Sequence, residues 1–252
     1  NASRRPVLTQ LQDQHVRAIV AGDAAALEAA RKQVAALAGE LAAMKAQDTA
    51  FVAAAIQRME SVANGIDIES GASGEDFVAR VRFWLLRYAG QETEIWFEHL
   101  CCGLLSPSCE ADFQQLNPFL EGKVVDGILG SVSQMMLVTS RIVAICRCLD
   151  SAVELLHLLD NPASAGSPAA LEAGVSEKAK VLCGQLSSKR TYIAKRPPIA
   201  GAAGFEAGFD PRFLIFEFVT GFLLRPRQVE MVSEFLQTFL RGESVVKQMI
   251  MG

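Results

Sequence analysis

The sequence predicts a mainly α fold: a multi-helix array, with a short C-terminal β-strand that would open a P-loop α/β domain. Three observations carry this. Apolar residues recur in steps of three and four through most of the chain. Proline and glycine gather in a few connecting stretches instead of interrupting those runs. The last apolar run, VVKQMIM, follows a capped helix and ends at Gly252, and helix, buried strand and glycine in that order are the entry to a nucleotide-binding α/β domain if a phosphate loop follows. Half of the 252 residues are hydrophobic and the net charge is −4. That composition excludes intrinsic disorder, and its mild acidity argues against nucleic acid or an anionic membrane as partner of the whole chain.

The elements follow in chain order. Residues 7–64 are Ala-rich and read as helix, with Asp23 after Gly22 as an N-cap. Leu27, Ala30, Val34, Leu37, Leu41 and Met44 form an a/d-like stripe, which Phe51, Val52, Ile56, Met59 and Val62 continue. This segment is either an arm that binds a partner or a helical hairpin packed on its own domain. Residues 64–74 are a Gly- and Ser-rich loop. A helix is expected from Glu75 to Tyr88, and a second from near Glu92 to Pro107. Gly122 to Asp160 holds no proline and reads as one long helix or two stacked end to end, followed by a loop over 161–168 and a helix over 171–189. The Pro- and Gly-rich stretch 195–209 is the best boundary. Asp210-Pro211 starts an apolar helix from Phe213 to Leu224, Pro226 starts another, and Gly242 caps it. The expected organisation is thus an Ala-rich arm or hairpin (1–64), a helical domain (75–194), a connector (195–209) and the start of a P-loop ATPase-like domain (210–252) cut at its first loop glycine.

Few residues suggest chemistry. His99, Cys101, Cys102 and Cys109 lie close together, but lack the paired spacing of a zinc site and fit a buried helix face. Cys146 and Cys148 point to different sides of a helix. No G-x-S-x-G, H-E-x-x-H or G-x-G-x-x-G motif occurs, and no complete Walker A. No catalytic residue and no metal ligand is therefore assigned. Seven basic residues, Lys189, Arg190, Lys195, Arg196, Arg212, Arg225 and Arg227, fall close together. They read as a phosphate-facing patch or as a solvated face bridged to Glu206, Asp210, Glu217 and Glu230. The cysteines are too few and too scattered for a disulfide framework, and neither a signal peptide nor a membrane span is visible. A cytoplasmic or nuclear setting is expected. Starting at Asn1 and stopping inside an apolar run, the sequence reads as a piece of a longer chain.

Four stretches carry a resemblance: LNPFL (Leu116–Leu120), the helix with Arg141 and Arg147-Cys148-Leu149, LSSKRTY (Leu186–Tyr192), and FDPRFLIFEF…LLRPRQVEMV…VKQMIMG (Phe209–Gly252). Together they resemble very large, mostly uncharacterised eukaryotic proteins that pair two domains of unknown function around a SecA- or helicase-like P-loop. Many of these are catalogued as candidate ubiquitinyl hydrolases. The resemblance runs from about 116 to 252 and is strongest over 209–252. It implies that Gly252 matches the first glycine of the phosphate loop, that Gln228 matches the glutamine reading the adenine edge, and that Arg227 supports the same contact. The loop's lysine and hydroxyl residue, which would reach the phosphates and Mg²⁺, are not in this chain.

Three readings of function stand at this point. The chain is a non-catalytic scaffolding or regulatory region upstream of a P-loop ATPase. Alternatively it is part of a ubiquitinyl hydrolase, or a coiled-coil-like interaction module. The implied partners are other domains of the same large protein and ubiquitin or another protein. ATP and Mg²⁺ are implied for the parent and no cofactor for this segment.

Overall fold

The computed structural model describes residues 16–19, 21–66, 74–192, 194–195, 207–208, 210–244 and 246. Among these the chain is mainly α-helical, as the periodicity predicts. Its helices are α1 (Ala24–Asn64), α2 (Glu75–Tyr88), α3 (Phe97–Gly103), α4 (Cys109–Leu116), α5 (Gly122–Asp160), α6 (Pro168–Leu186), α7 (Pro211–Thr220) and α8 (Pro226–Leu240), besides a helical stretch at 16–19 and a 3₁₀ turn at Pro162–Ala165. A two-residue antiparallel ladder pairs Ala194 with Gly208 and Lys195 with Ala207.

The chain packs into two units, each built from discontinuous segments. One comprises residues 1–52 and 138–188, the other 53–137 and 189–252. The division is spatial because α1 and α5, of 41 and 39 residues, each contribute one part to either unit.

In the first unit, Gly22 takes the left-handed φ of 84° that stops the preceding helical stretch. The Asp23 carboxylate then accepts the N–H groups of Ala25 and Ala26 at 2.9 and 3.2 Å and starts α1. The stripe Leu27, Ala30, Val34, Leu37 and Leu41 packs on a core of Ile145, Cys148, Ala152, Leu155 and Leu159 from α5 and Leu171, Val175 and Leu182 from α6. The stripe is therefore covered within its own unit as far as Leu41, while Met44 is exposed. Two arginines key the helices together. Arg31 donates to the Leu159 carbonyl at 2.8 and 3.1 Å and meets Asp160 at 3.0 Å, satisfying a carbonyl in the last turn of α5. Arg141 grips the buried Asp48 bidentately at 2.6 and 2.7 Å.

The second unit is keyed by amides. Asn64, the last residue of α1, holds Ile95 by both main-chain groups: its Nδ2 donates to the carbonyl and its Oδ1 accepts the N–H, each at 2.8 Å. Asn117 has no solvent exposure. Its Nδ2 donates to the carbonyls of Ala63 and Gly65 at 2.8 and 3.2 Å, and its Oδ1 accepts the Phe119 N–H at 3.2 Å. The Arg87 guanidinium donates to the carbonyls of Asn64 and Leu116 and lies over the Phe83 ring. Ile95, Leu100, Phe113, Val125, Val132, Met135 and Met136 are buried in this unit. Gly103 ends α3 where any Cβ would lie 2.4 Å from the Phe113 ring.

Several boundaries differ from the sequence reading. The helix expected from Glu92 begins at Phe97, because Asn64 holds Ile95 in a non-helical segment. Helix α4 was not anticipated, although Ser108 before Glu110 and Asp112 marks its start. The Phe213–Leu224 helix stops at Thr220, where Gly221 turns left-handed with φ 69°. The C-terminal strand falls on residues outside the described ones apart from Ser244 and Val246, which lie in no strand.

Replacing Asn117 with Leu leaves two main-chain carbonyls and one N–H without their partner in a site closed to water. Urea unfolding is expected to show a loss of about 2–4 kcal/mol. An unchanged midpoint would mean that these amide bonds contribute nothing net.

Candidate functional site

The most concentrated polar chemistry in the second unit is built on α7. Asp210 caps this helix by accepting the Arg212 N–H at 2.9 Å, with Pro211 in the first turn. The carboxyl of Asp210 is held below the usual carboxylate range by its hydrogen bond from the Arg212 guanidinium. The helical repeat then sets Phe213, Leu214 and Glu217 on the inward face, where all three are buried. Glu217 is 1% exposed.

Three donors meet the Glu217 carboxylate. Arg190 Nε donates to Oε2 at 2.6 Å, the Tyr192 hydroxyl to the same oxygen at 2.8 Å, and the Leu224 N–H to Oε1 at 2.7 Å. The Tyr192 ring packs on Phe213 with centroids 5.5 Å apart. Burial, and then its bond to Glu217, push the Tyr192 hydroxyl well above the usual tyrosine range, so the tyrosine remains a donor. Arg190 Nη2 is buried and has no hydrogen-bond partner among the described residues. The arrangement is a clamp: a neutral donor, a cation and a main-chain N–H fix one carboxylate.

The clamp leads to the residues singled out in the sequence. Seven residues after Glu217, Leu224 precedes α8, whose first turn carries Arg227 and Gln228, both exposed. Gln228 Oε1 accepts the Arg225 N–H at 2.9 Å, so its amide closes the start of the helix on itself. Gly252 lies outside the described residues, as do Arg196 and Glu206 of the basic stretch and its acidic counterparts. Two of the expected ion pairs are present, Arg190 with Glu217 and Arg212 with Asp210, each at 2.6 Å. Tyr192 is the contributor that the charge pattern does not reveal. Its signal is one glutamate inside the apolar run FLIFEFV, which buries a charge that must find partners.

The cysteines form no centre. All six are free thiols, and among the described residues no group of three or more His, Cys, Asp or Glu side chains could hold a metal ion. His99 is used locally, its Nδ1 accepting the Trp96 N–H at 3.0 Å. Burial, with Cys102 and Glu98 nearby, pushes the Cys101 thiol up to about 12, and burial raises Cys148, so neither is an activated nucleophile. In the first unit an apolar cavity of about 670 Å³ lies among Ile19, Ala30, Val34, Leu155, Val175 and Cys183. Among the described residues no helix is long and apolar enough to cross a membrane. Comparison with family models, with curated proteins and with solved structures finds no match for this chain.

Three measurements test the clamp and the thiols. Glu217→Gln leaves the Arg190 charge without its partner and should cost about 3 kcal/mol in urea unfolding. Tyr192→Phe should cost about 1–2 kcal/mol. The hydroxyl titrates higher folded than unfolded, so its contribution is complete below the ordinary tyrosine value near ~10 and fades as pH rises through the raised one. The two proteins should therefore converge in stability only in alkali; equal stability at neutral pH would remove the hydroxyl from the clamp. Alkylation at neutral pH, read by peptide mapping, should label the exposed Cys102 and Cys183 well before Cys101 and Cys148. Early labelling of Cys101 would contradict its suppressed thiolate.

Proposed function

We propose that this chain is a non-catalytic, scaffolding or regulatory helical region standing upstream of a P-loop ATPase- or helicase-like domain in a very large eukaryotic protein. The observation that carries the reading is helix α8. It has a strongly one-sided apolar pattern, yet buries no residue, and it presents Phe239 and Leu240 at 80% and 82% exposure with Val232 and Phe235 beside them. Its neighbour α7 leaves Phe216 and Val219 exposed on the side away from the Glu217 clamp. Exposed apolar area on this scale marks a surface that other protein covers. The segment is also the one in which the resemblance to P-loop proteins is strongest. The partner in this reading is the neighbouring domain of the same protein, and ATP with Mg²⁺ belongs to that domain.

Arg227 and Gln228 lie on the exposed first turn of a helix whose start the clamp holds, which is compatible with this reading. The lysine and hydroxyl residue that phosphate and Mg²⁺ require are not among the 252 residues. The chain is accordingly expected to show no ATP hydrolysis above a buffer blank. When it is extended through the following segment of its gene, amide hydrogen exchange over 226–240 should slow relative to the 252-residue chain. Coding sequence after Gly252 without a Gly-Lys-Thr/Ser, or unchanged exchange in the longer chain, would sink the proposal.

A further inference from the structure

A second unpartnered helix, α2 in the second unit, carries more specific information. Arg80, Phe83 and Arg87 hold one side of it: Phe83 packs edge-on against Phe119, Arg80 lies over the same ring, and Arg87 donates to the Asn64 and Leu116 carbonyls. The opposite side is a shallow apolar groove along Phe77, Val78, Val81 and Leu85 with Arg82 on its rim. Val78 is 63% exposed and no residue of the helix is buried.

The charges say what fits there. Glu75 and Arg82 are both exposed, and neither takes part in an ion pair among the described residues. They stand seven residues apart, so they share one flank of the apolar stripe, about 10 Å apart along the axis. A helix whose flank is acidic at its start and basic two turns later is complementary to itself reversed. In an antiparallel pair related by a two-fold axis, equal flanks face each other. Glu75 of each copy then meets Arg82 of the other, and both contacts form at one register centred near Val78. A parallel copy would set like ends side by side.

We infer that α2 is a self-association surface, and that its occupant is the α2 of a second copy of this chain, antiparallel to the first. Phe77, Val78 and Val81 form the apolar centre and the two Glu75–Arg82 contacts form the rim. One helix face per copy is a small interface, so the dimer is weak and concentration-dependent. The inference does not involve α8, and a monomeric chain would overturn it while leaving the proposed function standing.

Sedimentation equilibrium of the 252-residue chain over a concentration series tests it. A reversible monomer–dimer equilibrium is expected. Val78→Lys should abolish it, and Arg82→Glu or Glu75→Arg alone should each weaken it about tenfold. The two reversals in one chain should restore it, because the contacts re-form with their signs exchanged. All three positions are exposed, so circular dichroism should report an unchanged fold. A monomer at every concentration overturns the inference. So does a dimer indifferent to Val78→Lys, and so does a double reversal no tighter than the single ones.

Discussion

A carboxylate at the centre of an apolar helix imposes a condition that its surroundings must meet. Glu217 sits between Phe216 and Phe218 in a run that otherwise favours burial, and the helical turn places it inward with Phe213 and Leu214. Unpaired, it would be too costly to leave ionised and dry. The second unit meets the condition with donors from two separate stretches, one reaching it at Arg190 and Tyr192 and the other at Leu224. The direction in which α8 departs is thus set by a hydrogen bond to a side chain seven residues earlier.

The remaining polar keys work similarly. Asn64 holds the main chain of an irregular stretch at Ile95, while Asn117 and Arg87 act on carbonyls in the last turns of α1 and α4, which no further helical turn satisfies. The first unit needs less of this, because three helical segments cover one another with aliphatic and alanine side chains. Its specific contacts, Arg31 at the end of α5 and Arg141 on Asp48, set register. Helices α2 and α8 differ again: neither has a buried residue, and both leave large apolar side chains exposed.

The helices were legible wherever composition and period agreed. Asp23, Asp210-Pro211 and Gly242 announced ends that the structure has, and the proline-free run from Gly122 to Asp160 is one helix. Misplaced boundaries have tertiary causes that no local pattern contains: Ile95 is held by an asparagine thirty-one residues earlier, which delays α3. The Leu27–Leu41 stripe could be read as an arm or as core, and only the presence of α5 and α6 opposite it decides for core. The use of the Gln228 amide to close its own helix start was not legible. Tyr192 was not legible, because a lone tyrosine in a basic stretch does not say which acid it faces.

Because α1 and α5 each serve both units, the chain passes from one to the other three times, after Val52, Leu137 and Ser188. No single cut separates the two. A protein ending at Ser188 would contain the first unit whole but would strand the part of the second between Ala53 and Leu137 without the clamp that α7 builds. Such a chain is inherited, truncated or fused as one piece, and neither unit can be exchanged between proteins by joining genes at one junction.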